Sequence, residues 1–93
     1  MGLDLTLKAL GDPTRREILK MLKKGPMTAG QIGQAFDMSP ATVSYHLSLL
    51  LEAELIFLRK EKNYRIYSLN LSVFEELMTY FMNFTKGDKN EEI

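Results

Sequence analysis

The chain has 93 residues, 45% of them hydrophobic and 26% charged, with twelve Lys and Arg balancing twelve Asp and Glu and no cysteine. Folding at this size buries only about 60% of the extended surface, so a deep private catalytic pocket is hard to build and sharing a core with a second subunit becomes reasonable. Lack of cysteine excludes disulfide scaffolds and thiolate metal sites, and no apolar run approaches the ~20 residues needed to cross a bilayer. Residues 1–93 are expected to form a single domain with no membrane insertion. Met1-Gly2-Leu3-Asp4 lacks a basic stretch followed by an apolar one, so a cytoplasmic location is expected.

Leu3, Leu7 and Leu10, with Ala9 beside them, recur at helical spacing, and Gly11 stops that first helix. Asp12 can cap the next helix, and Pro13 suits its first turn. Ile18, Leu19 and Leu22 form its apolar stripe, and Gly25-Pro26 ends it. Thr28 and Gln31 have the spacing of a capping box. They open a short third helix with Ile32, Ala35 and Phe36 on its buried side. Asp37-Met38-Ser39 breaks it, and Ser39-Pro40 starts a fourth helix running to about Ala53.

The period then changes from 3.6 to 2. Ile56 and Leu58, then Tyr64, Ile66, Tyr67 and Leu69, lie in two extended stretches joined by a charged tip, a β-hairpin pattern. A last helix starts at Asn70-Leu71-Ser72 and ends near Lys86-Gly87, leaving 88–93 as a frayed polar tail. The expected class is mostly α with a small β-hairpin, a winged helix-turn-helix in the order α-α-α-α-β-β-α.

Zero net charge hides a strong local bias. Residues 59–65 carry four bases and one acid, whereas residues 66–93 carry two bases and five acids. A phosphate responds to charge within roughly one Debye length, about 8–10 Å, so the hairpin counts for more than the total. A helix fits the major groove of B-DNA with its first turns toward base edges, and a basic hairpin beside it can reach a phosphate track. On the fourth helix Val43, Leu47 and Leu50 form the inward stripe with His46 on its flank. Ala41, Tyr45 and Ser48 point the opposite way, with Thr42 and Ser44 at the margins. Candidate contacts to double-stranded DNA are Thr28, Ser39, Pro40, Ala41, Thr42, Ser44, Tyr45, Ser48, Arg59, Lys60, Lys62 and Arg65. No Arg or Lys lies on the fourth helix, so attraction must come from the hairpin, with Lys23-Lys24 as a weaker source.

The segment Leu10-Gly-Asp-Pro-Thr-Arg-Arg-Glu-Ile-Leu19 resembles the ArsR/SmtB winged-helix repressors. Ser39-Pro-Ala-Thr-Val-Ser-Tyr-His-Leu-Ser48 and the residues after it look like that family's recognition helix, and Tyr64-Arg-Ile-Tyr-Ser-Leu-Asn70 like its second wing strand. Met27-Thr-Ala-Gly30 and Phe84-Thr-Lys-Gly-Asp88 are most similar to the metal-free SdpR-type autorepressors. The resemblance implies a homodimer that binds an imperfect inverted repeat in its own or a nearby promoter and blocks transcription. It places the dimer interface on the first and last helices, here Leu3, Leu7, Val73, Phe74, Leu77, Tyr80, Phe81 and Phe84. The last helix is apolar almost all round, which itself suggests a second partner. Many relatives carry Lys or Arg at the positions of Ser48 and Leu51, and Gly where Glu54 stands; an exposed Leu51 would pack against the first or last helix.

The third helix carries no cysteine pair and the last helix no Asp-x-His or His-x-x-Glu set, so no metal site and no other cofactor is expected. No triad or glycine-rich phosphate loop points to an enzyme, and no catalytic residue is assigned. Against the repressor stands a winged-helix protein-interaction module that does not read DNA. A small-molecule inducer, capture by a regulatory protein, and control by the repressor's own concentration all remain open.

Overall fold

A computed structural model describes residues 2–86; the tail expected at 88–93 lies outside them. Five helices, α1 (Leu3–Leu10), α2 (Pro13–Lys23), α3 (Ala29–Phe36), α4 (Pro40–Glu52) and α5 (Leu71–Thr85), surround a sheet of β1 (Met27–Thr28), β2 (Ile56–Glu61) and β3 (Tyr64–Leu69). Three of the helices start where a side chain replaces a missing backbone partner. Asp12 Oδ2 accepts from Arg15 N at 3.1 Å, and Ser39 Oγ accepts from Thr42 N at 3.3 Å. Thr28 Oγ1 accepts from Gln31 N while Thr28 N donates to the Gln31 side chain, completing the capping box. Pro13 and Pro40 occupy first turns, where their missing N–H has no intrahelical acceptor.

The sheet is antiparallel with strand order β1-β3-β2. β1 is an addition to the expected hairpin: Met27 pairs with Tyr67 and Thr28 with Ile66. Two residues are too few to show a period of two. β2 and β3 pair from Ile56 opposite Leu69 to Glu61 opposite Tyr64, leaving Lys62 and Asn63 as the turn. Lys62 holds a left-handed φ of 56° there. Glu54, just before β2, has φ 62°, a conformation that glycine adopts without a Cβ penalty. Buried Asn70 holds the same corner by donating from Nδ2 to the Glu54 carbonyl at 2.9 Å.

The core joins Ile18, Leu22, Ile32, Val43, Leu47 and Leu50 to Leu55, Ile56 and Tyr67. Leu50 is fully buried. Leu50→Ala should lower the unfolding free energy by about 2–5 kcal/mol, a large part of the ~5–15 kcal/mol of an ordinary domain. Urea titration followed by circular dichroism reads this; a loss below about 1 kcal/mol would mean the site collapses around the deletion.

Several expected faces are corrected. On α1 Thr6 joins Ala9 in the interior, with Leu3 and Leu10 packed against the core, while Leu7, assigned to the interface, is exposed. Thr6 satisfies its hydroxyl locally, donating to the Gly2 carbonyl at 2.9 Å, which lets a polar side chain face inward. Ala35 is exposed. Leu51 is half-buried against the core. On α5, Val73 and Leu77 are core residues, so they are withdrawn from the interface set. α5 is not apolar all round either: Ser72, Glu75, Glu76, Thr79 and Asn83 form a polar stripe, because 3.6 residues per turn brings them to one side. Beyond Leu77 the helix leaves its own core, and the molecule is drawn out to 58 × 23 × 21 Å. Among the described residues no helix is long and apolar enough to cross a membrane.

Candidate nucleic-acid interface

The α4 wheel places Val43, Leu47 and Leu50 in the core and leaves Pro40, Ala41, Thr42, Ser44, Tyr45 and Ser48 exposed. Not every hydroxyl on that face is free to bind. Ser39 Oγ and Thr42 Oγ1 share a hydrogen bond at 3.0 Å, and Ser48 donates to the Tyr45 carbonyl at 2.8 Å. Thr28 is half-buried, with its oxygen committed to the α3 cap. The groups left unengaged among the described residues are Ser44, the Tyr45 phenol and the Ala41 N–H at the helix start. Tyr45 is 58% exposed and leans against the His46 ring, with centroids 5.5 Å apart. The face offers hydroxyls and a phenol without a formal charge.

Strand parity divides the wing cations between two faces. Ile56, Leu58 and Lys60 lie on one side with Leu69, Tyr67 and Arg65 opposite them. The buried members of this set, Ile56 and Tyr67, face the core, so Lys60 and Arg65 stand where that face runs out past the packed body. Like charges directly opposite in an antiparallel pair repel. An anion placed between them turns that repulsion into attraction, and a phosphate is such an anion. Arg59 lies on the other face, where its Nε sits 3.5 Å from Glu61 Oε2; both side chains are well exposed. Lys62 is in the turn. Among the described residues Lys60, Lys62 and Arg65 form no ion pair, so the wing's free positive charge resides in these three.

One functional side chain was missed by the sequence reading. Arg15 is 7% exposed and binds three elements together. Its Nε donates to the Ala9 carbonyl at 2.8 Å, and Nη2 to the Lys8 carbonyl at 3.1 Å. These are terminal carbonyls of α1, which have no partner within the helix. Arg16 serves the next one, Leu10, at 2.7 Å. Arg15 Nη1 lies 3.3 Å from His46 Nδ1 on α4. A guanidinium only donates, so in this contact Nδ1 is the accepting atom. The Asp12 carboxylate stands 3.9 Å from the same nitrogen. His46 is thus a structural partner of Arg15. The Asp-Pro-Thr-Arg run was the available signal, because it places a cap, a first-turn proline and an arginine in one helical turn.

Among the described residues no group of three or more His, Asp or Glu side chains is placed to hold a metal ion. Of the expected interface residues, Leu7, Tyr80, Phe81 and Phe84 are exposed, while Leu3 and Phe74 are half-buried against the core.

The helix-turn-helix domain family matches residues 10–59, which span α2 to the middle of β2. The transcriptional repressor SdpR of Bacillus subtilis is 43% identical over 84 residues, covering 89% of this chain and 93% of that protein. A crystal structure of an ArsR family transcriptional regulator superposes with a TM-score of 0.82 at 26% identity, covering 89% of this chain and 86% of that one. The homodimeric winged helix-turn-helix DNA-binding domain Mb0332 of Mycobacterium bovis shares the fold, with a TM-score of 0.74 at 24% identity over 89% of this chain and 77% of that one.

Proposed function

The chain belongs to the ArsR/SmtB-type winged helix-turn-helix repressors, and from that premise we propose that it binds a promoter inverted repeat as a homodimer and controls its own promoter. It is a DNA-binding transcriptional repressor, not an enzyme. One observation carries the reading of the site: the uncharged exposed face of α4 is flanked by a wing on which Lys60 and Arg65 oppose each other without an acidic partner among the described residues. In this reading α4 lies in the major groove with Tyr45 and Ser44 toward base edges, while Thr42 is held in the Ser39 cap. The Ala41 N–H and the wing cations then hold phosphates. The likeness to the B. subtilis repressor supports autorepression. The exposed α1 and distal α5 side chains, Leu7, Tyr80, Phe81 and Phe84, support a twofold partner.

Fluorescence anisotropy on the chain's own promoter, against a scrambled duplex of equal length, tests the proposal. Binding should weaken steeply with salt, log K falling about 0.9 for each phosphate neutralised. Tyr45→Phe and Ser44→Ala should change the preference among operator variants by about 1–3 kcal/mol at the affected base pair. Equal weakening on every duplex would remove these side chains from base reading. A binding constant indifferent to salt would instead favour the protein-interaction module.

A further inference from the structure

Between α2, the end of β3 and the first half of α5 lies a groove of about 530 Å³, floored by Leu19, Leu69, Phe74 and Met78. Arg16, Lys20 and Lys23 line its other side. Spacings of four and three put them on one face of α2, a cationic stripe about 10 Å long. Only one carboxylate answers it among the described residues: Glu17, 3.1 Å from Lys20 in a well-exposed pair. The occupant therefore needs an apolar face and negative charge.

This same chain carries both. Past Leu77, α5 presents Phe81, Met82 and Phe84 at 48, 49 and 73% exposure. The sequence that follows opens on Lys86, and from 88 to 92 it holds Asp88, Glu91 and Glu92 against one base, Lys89. In a closed twofold dimer the contact is reciprocal, and two antiparallel copies of α5 bring the distal half of one over the proximal half of the other. The proximal half is the groove wall, where Leu71 and Met78 are 64 and 65% exposed. Six extended residues reach up to about 20 Å, enough to run from the end of α5 along the α2 stripe.

We propose that the partner's distal α5 fills this groove and that its acidic segment 88–92 lies along Arg16, Lys20 and Lys23 of the other subunit, an electrostatic clasp made twice per dimer. The clasp rests on the homodimer proposed above and goes beyond it by assigning the α2 cations to subunit pairing, apart from DNA.

A charge swap tests it. Lys20→Glu/Lys23→Glu and Glu91→Lys/Glu92→Lys should each raise the dimer dissociation constant about tenfold at low salt, measured by energy transfer between labelled subunits. The quadruple variant should recover wild-type pairing. Mixing the two double variants should yield heterodimers well above the statistical half, because only that pairing restores opposite charges at both clasps. Lys20 and Lys23 are exposed, and circular dichroism checks that every variant stays folded. Wild-type-like pairing of both double variants would overturn the clasp while leaving the dimer intact. A rescued quadruple variant with statistical mixing would place the segment on its own subunit and overturn the exchange. An anilinonaphthalene sulfonate probe should bind below the dimer dissociation constant and be expelled above it. Retention in the dimer would assign the groove to a small apolar ligand instead. A wild-type chain that stays monomeric at tens of micromolar would defeat the dimer reading itself.

Discussion

Arg15→Ala should lower the unfolding free energy by roughly 3–5 kcal/mol, more than any other single polar substitution in the domain. The size follows from what the side chain leaves behind. The Ala9 carbonyl loses its side-chain donor, the Lys8 carbonyl keeps only the Gly11 N–H at 3.1 Å, and His46 Nδ1 loses its partner in a largely buried site. Each buried polar group without a partner costs about 1–3 kcal/mol. The guanidinium stem also fills the junction of α1, α2 and α4, so truncation removes packing as well as bonds. In a domain with about 5–15 kcal/mol of total stability, the variant would be largely unfolded under mild denaturant. Arg15→Lys keeps the charge but offers a compact ammonium where a planar fork is needed, and should recover less than half of the loss. Urea denaturation of the three proteins measures this. A loss under about 1 kcal/mol for the alanine variant would mean that water replaces the guanidinium and that the bridge is incidental.

Removing the three unpaired wing cations together, Lys60→Ala, Lys62→Ala and Arg65→Ala, takes six cations from the dimer and should weaken DNA binding by about 10³–10⁴ at moderate salt and reduce the slope of log K against log salt by roughly 5. The mechanism is counterion release, which depends on phosphates neutralised and not on base sequence. The loss should therefore be alike on the operator and on a scrambled duplex, leaving the ratio between them unchanged. Arg59→Ala should do much less, because Glu61 already offsets part of that charge at 3.5 Å. The wing variants are exposed and leave the core untouched, so stability should move by no more than about 0.5 kcal/mol. Anisotropy titrations across a salt series separate slope from affinity. An unchanged slope in the triple variant would take the wing out of phosphate contact.

These two residue groups also show what the sequence could and could not disclose. The helices from Asp12 to Ala53 were readable because caps, prolines and apolar spacing agree at each start, and the hairpin because its period changes abruptly at Ile56. Two-residue β1 carried no such signal: Thr28 was recognised as a cap, and a cap does not announce that its neighbour pairs with Tyr67. On α1 the apolar spacing picked out Ala9, Leu3 and Leu10, which meet the core, but gave no sign that Thr6 is buried. Thr6 and Ala9 are small enough to let α2 and α4 approach, and closeness, not hydrophobicity, selected the inward side. For α5 composition gave the excess of apolar side chains but not the place where the helix leaves its own body, so Val73 and Leu77 could not be told from Tyr80 and Phe84. The recognition surface was legible as a face. Which of its hydroxyls are already consumed by Ser39–Thr42 and Ser48–Tyr45 bonds depends on rotamers, which residue spacing does not encode. The burial of Arg15 was not legible, because it is decided by carbonyls of another helix.

The short β1 strand has a consequence out of proportion to its length. By tying Met27 and Thr28, immediately ahead of α3, to Tyr67 and Ile66 at the root of the hairpin, it makes the reading helix and the cationic arm a single calliper. The jaws of that calliper keep one opening. On the function proposed above, the offset between base-read steps and arm-held phosphates would then be a constant of the subunit, the same in both halves of an inverted repeat.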